Sequence, residues 1–491
     1  MANNKQSSQA VYWIEIAIGI FFMFIFGRVV PPVGTITPMG MQILGVFIGV
    51  MFYLTVFESD KSWTALMAIP AVVFTGYTTT PGFIGTMLGN PTIFQMMMLM
   101  ALCYAIRESG AGKIIATWFI TRRFLKGRPV LFCGVFLWAF LIGSIFLGGY
   151  AFLLAWDILG NIFNSTGYKK REKFPILMIC ATYMIAWVGS SCIPIQGLPL
   201  SMVASFNGIM SVYGIELNLP VYMLSGLAVG TVVCFVEALA FKYVFRADMS
   251  KIADVDPEQM GIDVKSLRFN SRQLLLLAGY IVGVGFSVVS GIVPKESAVG
   301  QFMSTITLYG WFASILIVLS IIRVKGQPVL NLGQSLSKGV MWATVLCTGA
   351  FLIIGQGITA EPCGIKEAIN SVLTPLFGDM SFVLFASIAI FITLFVTNFM
   401  SNLATGVIVI TIISPFIVET FSYVNPSVMG CAIIVTAMIG MLTMSAGAFA
   451  SMLIGNEWID SQKLVLKYGC PMLIIYFIVA ALGFSALAVI L

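Results

Sequence analysis

The chain contains no histidine, and only 9% of its residues are charged. The first absence removes the commonest metal ligand and the usual proton relay near neutral pH. The second excludes a water-facing surface over most of the molecule. Soluble domains carry roughly 25% charged residues, whereas here hydrophobic residues make up 59% of the chain. The solvent of most of its surface is therefore lipid. The nine cysteines include no CxxC pair and no metal-type spacing, and most stand in apolar segments as small fillers. Without histidine there is no HExxH-type helix, which argues against a membrane-embedded enzyme and excludes the usual metal centre. A net charge of +6 comes with no basic cluster interleaved with aromatics, so nucleic acid is not an expected partner. The first apolar run has no small-residue cleavage site before Arg28 and is interrupted by Glu15, so it reads as a retained helix.

What is abundant is long apolar sequence. A membrane span needs about 20 mostly apolar residues. Such runs fall at 11–27, 39–57, 62–79, 92–108, 174–205, 220–245, 272–290, 299–322, 337–357, 427–455 and 469–490. Two further stretches, 129–163 and 379–420, are too long for one span and hold Gly, Ser or Asn near their middles. Each suits a re-entrant hairpin, because broken backbone is tolerated at membrane depth only where protein or a cavity surrounds it. Threading with the N-terminus inside gives about eleven spans and an outside C-terminus. All 26 Lys and Arg except Arg28, Lys295 and Lys366 then fall on the inner side, among them Arg122, Arg123 and Lys126. The positive-inside rule thus sets the N-terminus in the cytoplasm and the C-terminus outside the inner membrane.

The longest polar stretch, 246–271, reads as a cytoplasmic linker between two halves. A helix over 1–35 precedes a first repeat at 36–245, with hairpin 129–163 and a broken helix at 174–205. The second repeat, 272–491, has hairpin 379–420 and a broken helix at 427–455. ATYMIAWVGSS (181–191) lies over VTAMIGMLTMS (435–445), although apolar segments also match by chance. The second copy enters from the opposite side. Inverted repeats with discontinuous helices are how many secondary transporters build a midplane site.

The sharpest polar feature is Thr397-Asn398 followed by Ser401-Asn402-Leu403-Ala404-Thr405-Gly406, in the middle of an apolar hairpin. Hydroxyl and amide oxygens with freed carbonyls suit a hard monovalent cation, and N–H groups at the next half-helix would receive a carboxylate. The same small residues would also serve a plain helix–helix contact. SNLATG in this position resembles the Ser-Asn-Thr motif of the divalent anion/sodium symporter (DASS) family. ITPMGMQILGVFIG (36–49) and GNPTIFQMMMLMALCYAIRESGAGKIIATWFITRRF (89–124) are similar to that family's early helices, and the resemblance runs over about 36–490.

The resemblance implies an elevator-type dimer in which a Ser-Asn-Thr at each hairpin tip binds substrate carboxylate and sodium. Ser401 and Asn402 match that motif, while Leu403 replaces the expected Thr. At the first tip, Gly148-Gly149-Tyr150 stands where the other motif would be, leaving backbone N–H groups and the Tyr150 hydroxyl. Gly189-Ser190-Ser191, then Pro194 and Gly197-Leu198-Pro199, resemble the family's break, where carbonyls complete a sodium site. In the second half Thr443, Ser445 and Gly447 fall in a small-residue break without its prolines. The degraded first tip puts two-site sodium coupling in doubt.

Asp157, on the second limb of the first hairpin, and Glu237, inside a span, are intramembrane acids and hence candidates for binding a cation or a proton. Each could instead sit near an interface or beside a Lys or Arg. The expected architecture is an all-α membrane protein with two inverted repeats, each holding a hairpin and a broken helix. The expected function is alternating-access transport of a small organic anion, a carboxylate in the first instance, with sodium as the candidate coupling ion and no other cofactor. Substrate contacts would be Ser401, Asn402, Leu403, Gly148, Gly149, Tyr150 and Pro194. The alternatives are a sodium-independent anion exchanger and a proton-coupled antiporter using Asp157. Leu403 and Tyr150 suggest a pocket suited to a longer or aromatic acid.

Overall fold

The computed structural model describes residues 9–491 except 58–60, 121–126, 195–196, 254–267, 295, 369–370, 372–374, 376–379, 444–445 and 447. Helices begin where the sequence supplies a cap. Thr37, Thr79, Asn218, Ser297 and Ser381 each accept a hydrogen bond from a first-turn N–H. Asn270 and Gln273 form a reciprocal capping box. A proline follows Thr37, Thr79 and Asn218 within the first turn, where its missing N–H is not needed.

The first half comprises α1 (Gln9–Val29), α2 (Pro38–Val56), α3 (Lys61–Val73), α4 (Thr80–Gly89), α5 (Pro91–Ser109) and α6 (Ala111–Ile120). It continues through α7 (Pro129–Leu147), α8 (Ala151–Ser165), α9 (Lys173–Cys192), α10 (Gly197–Met210) and α11 (Leu219–Tyr243). The second half comprises α12 (Ser271–Ile292), α13 (Ala298–Ile321), α14 (Leu332–Gly339), α15 (Trp342–Thr359) and α16 (Phe382–Val396). It ends with α17 (Asn402–Glu419), α18 (Pro426–Ala437), α19 (Ala448–Ile454) and α20 (Gln462–Ile490). A small antiparallel ribbon, β1 (Arg323–Val324) with β2 (Gln327–Pro328), follows α13.

Helix pairing in one half is paralleled in the other. α7 packs on α11 as α16 does on α20, and α9 on α11 as α18 does on α20. α3 crosses to α15 as α13 crosses to α5. The bent pairs α4–α5, at 41°, and α14–α15, at 64°, occupy matching places. Each apolar run of the sequence carries a helix, and the chain is a multi-pass membrane protein. By length and composition, however, only 7 helices among the described residues could cross a bilayer alone, or up to 9 if each bent pair is one span. The other runs hold shorter apolar helices or helices broken midway.

The polar contacts gather the loops into two faces. On one, Arg28 donates to the Phe74 carbonyl, Thr37 to Pro362, Asn218 N to Ser427, and Asn425 N to the Ala488 carbonyl, while Lys366 pairs with Glu419. On the other, Lys170 pairs with Glu457, Arg171 with Asp460, Lys251 with Glu172 and Arg272 with Glu108. Arg122, Arg123, Lys126, Lys295 and most of the linker lie outside the described residues.

Both hairpins return to the face they leave. Gly127 N, ahead of α7, bonds to Ala253 O, and Lys251 Nζ reaches Gly167 O just after α8. At the start of α16, the Phe382 ring lies 5.5 Å from that of Phe421, just past α17. Helix α9 stands between the hairpins and is buried along its whole length. The close approach of α7 to α9 depends on Gly189, where a Cβ would lie 2.2 Å from the Leu141 carbonyl oxygen. That oxygen is backbone and cannot step aside. Gly189→Ala is therefore expected to cost about 1–3 kcal/mol, read as a lower melting temperature in detergent. Gly85→Ala, where a Cβ meets nothing within 4 Å, is expected to leave that temperature unchanged or raised.

Candidate functional site

The second hairpin turns over Thr397–Ser401, and its polar residues are buried while Phe399 is exposed. Thr397, Asn398 and Ser401 are 0%, 2% and 4% exposed. Buried polar groups need partners, and most of these find them in the neighbouring chain. Helix α18 stops at Ala437, Met438–Thr443 are not helical, and the next described helix, α19, starts at Ala448. The Asn398 side chain sits across this break. Its Oδ1 accepts from Met441 N and Leu442 N, both at 2.9 Å, while its Nδ2 donates to Leu394 O at 2.7 Å. Thr443 donates its hydroxyl to the Asn398 carbonyl. The Thr397 hydroxyl reaches both the Ala437 carbonyl and Asn402 Oδ1, the latter at 2.9 Å. Asn402 Nδ2 points to the Met438 carbonyl at 3.5 Å. The tip thus supplies the hydrogen-bond partners that the interrupted helix lost.

Two glycines make these approaches feasible. A Cβ on Gly440 would lie 2.7 Å from the Thr397 carbonyl oxygen and 3.0 Å from Asn402 Oδ1. In the first hairpin Gly148 adopts φ +73°, a turn conformation that favours glycine. The next residue presses on a ring: a Cβ on Gly149 would stand 2.3 Å from Trp187. Tyr150, 45% exposed, meets the Phe449 ring edge-on at 5.1 Å. Phe449 lies on α19, directly after the second break, and Trp187 approaches it at 5.3 Å. One turn along α9 from Trp187, Tyr183 donates to the Gly440 carbonyl at 2.9 Å. Both hairpin tips therefore meet the same segment, 438–449.

The first break sits elsewhere than expected. Gly189, Ser190 and Ser191 are helical, and both serine hydroxyls donate back to the Trp187 carbonyl. The interruption starts at Ile193, whose φ of −123° and ψ of 91° are extended. Pro194 is the reason, because a proline pushes the preceding residue out of the helical region and lacks an N–H. The alignment of 181–191 with 435–445 consequently lays helix over broken chain. Pro194 is not brought to the tips: it lines a separate cavity of about 520 Å³ with Gln95, Asn207 and Tyr309.

Of the expected site residues, Ser401, Asn402 and Thr443 are brought together at the second tip, while Gly149 and Tyr150 of the first tip contact Trp187 and Phe449. Leu403 is buried in the first turn of α17. Ser445 and Gly447 lie outside the described residues. Asp157 is exposed on α8, roughly 10 Å along the helix from Tyr150, and is not part of the cluster. Glu237 is 0% exposed in α11, and neither of its oxygens has a partner. Tyr183, Trp187 and Phe449 were not anticipated. The spacing of Tyr183 and Trp187, one turn apart in a helix rich in small residues, was the available signal.

One polar atom at the second tip is left over. Ser401 Oγ is buried without a partner. Ser401 is also the N-cap of α17, an 18-residue helix, and its side chain makes no capping bond. The first N–H groups of a helix attract an anion through their unmet donors and the helix dipole. No group of three or more His, Cys, Asp or Glu that could hold a metal occurs among the described residues. The oxygens of Ser401, Asn402 and the break carbonyls are the type that holds a hard monovalent cation.

No protein-family model matches the chain, and no curated protein does. Among solved structures it shares its fold with Neisseria gonorrhoeae MtrF, described within a class of antimetabolite efflux pumps. The TM-score is 0.52, the identity 15%, and the match covers 84% of each chain. The Alcanivorax borkumensis YdaH transporter matches with a TM-score of 0.54 and 14% identity, over 83% of this chain and 86% of that one. At such identities the likeness concerns the fold alone.

The Asn398 clamp makes a direct prediction. Asn398→Ala strands two buried backbone N–H groups and should destabilise the protein by about 1–3 kcal/mol, measured by thermal unfolding in detergent. Asn398→Asp keeps the acceptor and should lose less than the alanine variant. Equal melting temperatures for wild type and Asn398→Ala would contradict the clamp.

Proposed function

We propose that the chain is a secondary active transporter that moves a small organic anion, in the first instance a carboxylate, by alternating access. The observation that carries this reading is the orphaned Ser401 hydroxyl at the N-terminus of α17, inside a tip fastened to a broken helix. An anion carboxylate would take the α17 N–H groups, and Ser401 and Asn402 would contact both it and a sodium ion. Gly148 and Gly149 would offer backbone donors from the other side. The fold shared with MtrF and YdaH supports a transporter in general, and the parallel helix pairing supports two inverted repeats. The distribution of Lys and Arg supports a cytoplasmic N-terminus in the inner membrane. A homodimer working as an elevator follows from the resemblance to divalent anion/sodium symporters.

A sodium-independent exchanger is the second reading. It is favoured by the first tip, where Gly148-Gly149-Tyr150 stands in place of a second Ser-Asn-Thr. Neither reading calls for a cationic clamp, since the anion would rest on helix-end N–H groups and amides.

Reconstituted protein exchanging labelled succinate or benzoate tests the site. Asn402→Ala and Ser401→Ala should each lower uptake at least about ten-fold, the equivalent of one lost charged hydrogen bond, with folded yield unchanged. Wild-type uptake by both variants would remove the second tip from the pathway. Replacing sodium with choline separates the readings: symport stops, whereas exchange continues.

A further inference from the structure

The wall between the two tips is aromatic, and one of its members lacks the partner that its chemistry requires. Phe152 lies 5.2 Å from Tyr183 and 6.1 Å from Phe449, and Trp187 joins the group through Phe449 and Tyr183. Buried indole N–H groups normally find an acceptor, and three less buried indoles of this chain do so. Trp138 donates to Thr231 Oγ1 at 3.3 Å, Trp156 to Ile179 O at 3.2 Å and Trp311 to Val282 O at 3.4 Å. Trp187 is 7% exposed, and its Nε1 has no partner. It is held against the first tip by contact with Gly149 rather than by a hydrogen bond.

Two buried orphans therefore lie beside residues that contact the second break or the helix after it. Ser401 Oγ stands at the anion-attracting end of α17, and Trp187 Nε1 stands one turn of α9 beyond Tyr183. Tyr183 is itself bonded to Gly440, which abuts Asn402. That turn measures roughly 6 Å, comparable with a benzene ring. Half-exposed Tyr150 adds an aromatic surface beside Phe449, which it meets at an interplanar angle of 87°.

Resting on the reading of the tips as an anion site, we infer that the transported anion carries an aromatic ring. Its carboxylate occupies the Ser401–α17 end. Its ring packs among Trp187, Phe449 and Tyr150, and an acceptor on the ring takes the Trp187 N–H. An aliphatic dicarboxylate would place a second charge among rings, where desolvation penalises it. Aromatic contacts at 4.5–7 Å are worth roughly 0.5–1.5 kcal/mol beyond buried area, enough for about ten-fold in affinity.

The test is thermal shift of the purified full-length protein with benzoate, 4-hydroxybenzoate, 3-phenylpropionate, succinate and malate. The aromatic acids should raise the melting temperature at concentrations at least about ten-fold below those needed for the dicarboxylates. Trp187→Leu should abolish the benzoate shift, whereas Trp187→Phe, which keeps a ring but not the N–H, should retain most of it and lose only the extra shift of 4-hydroxybenzoate over benzoate. Phe449→Leu repeats the loss at the opposite wall. Stabilisation by the dicarboxylates alone, or an unchanged benzoate shift in both leucine variants, would overturn the aromatic assignment and leave the anion site standing. No shift with any carboxylate would remove both.

Discussion

The structure turns on one carboxamide. Asn398 receives two consecutive backbone N–H groups of the broken helix and returns its own N–H to the limb behind it. Helix α18 stops early in an environment where every unpaired backbone group costs several kcal/mol. A hydrogen-bonding side chain from another segment is one of the few ways to hold such chain open. The hairpin tip and the break are each other's solvent. Tyr183 extends this network from the first half to Gly440, so that motion of α9 and of the second break is mechanically linked.

The two halves use one architecture with different chemistry. The second tip is built of hydroxyls and amides and meets a long unwound segment. The first is built of glycines against an indole, and its broken helix stays helical through Cys192 and opens at a proline. Side-chain hydroxyls and amides are therefore gathered on one side, and aromatic surface on the other. Such asymmetry suits an anion with one charged end and one apolar end better than an ion with charge at both ends. It also explains why two-site sodium coupling finds little support in the first half.

Much of this was legible in the sequence, and the limits of that legibility are physical. Both hairpins announced themselves because 129–163 and 379–420 exceed a bilayer span and carry small or polar residues midway. Thr397 and Asn398 stood out because polar residues in apolar sequence must be used. The first break was misplaced because glycine and serine were read as helix-breaking, yet Ser190 and Ser191 satisfy themselves by bonding back to Trp187. The second break begins at Met438, ahead of Thr443, because Asn398 captures its N–H groups from another segment, which local sequence does not reveal. The aromatic wall was invisible for the same reason: Tyr150, Trp187 and Phe449 come from three separated helices. Asp157 drew attention as an acid in an apolar stretch, but it faces outward on α8.

The claim that the two tips form a single anion site is tested most directly by a cryo-electron microscopy structure with benzoate and sodium. Density bridging Ser401, the start of α17 and the Trp187 indole is the predicted result. Ligand density confined to the cavity lined by Pro194, Gln95 and Asn207, with the tips empty, would contradict it.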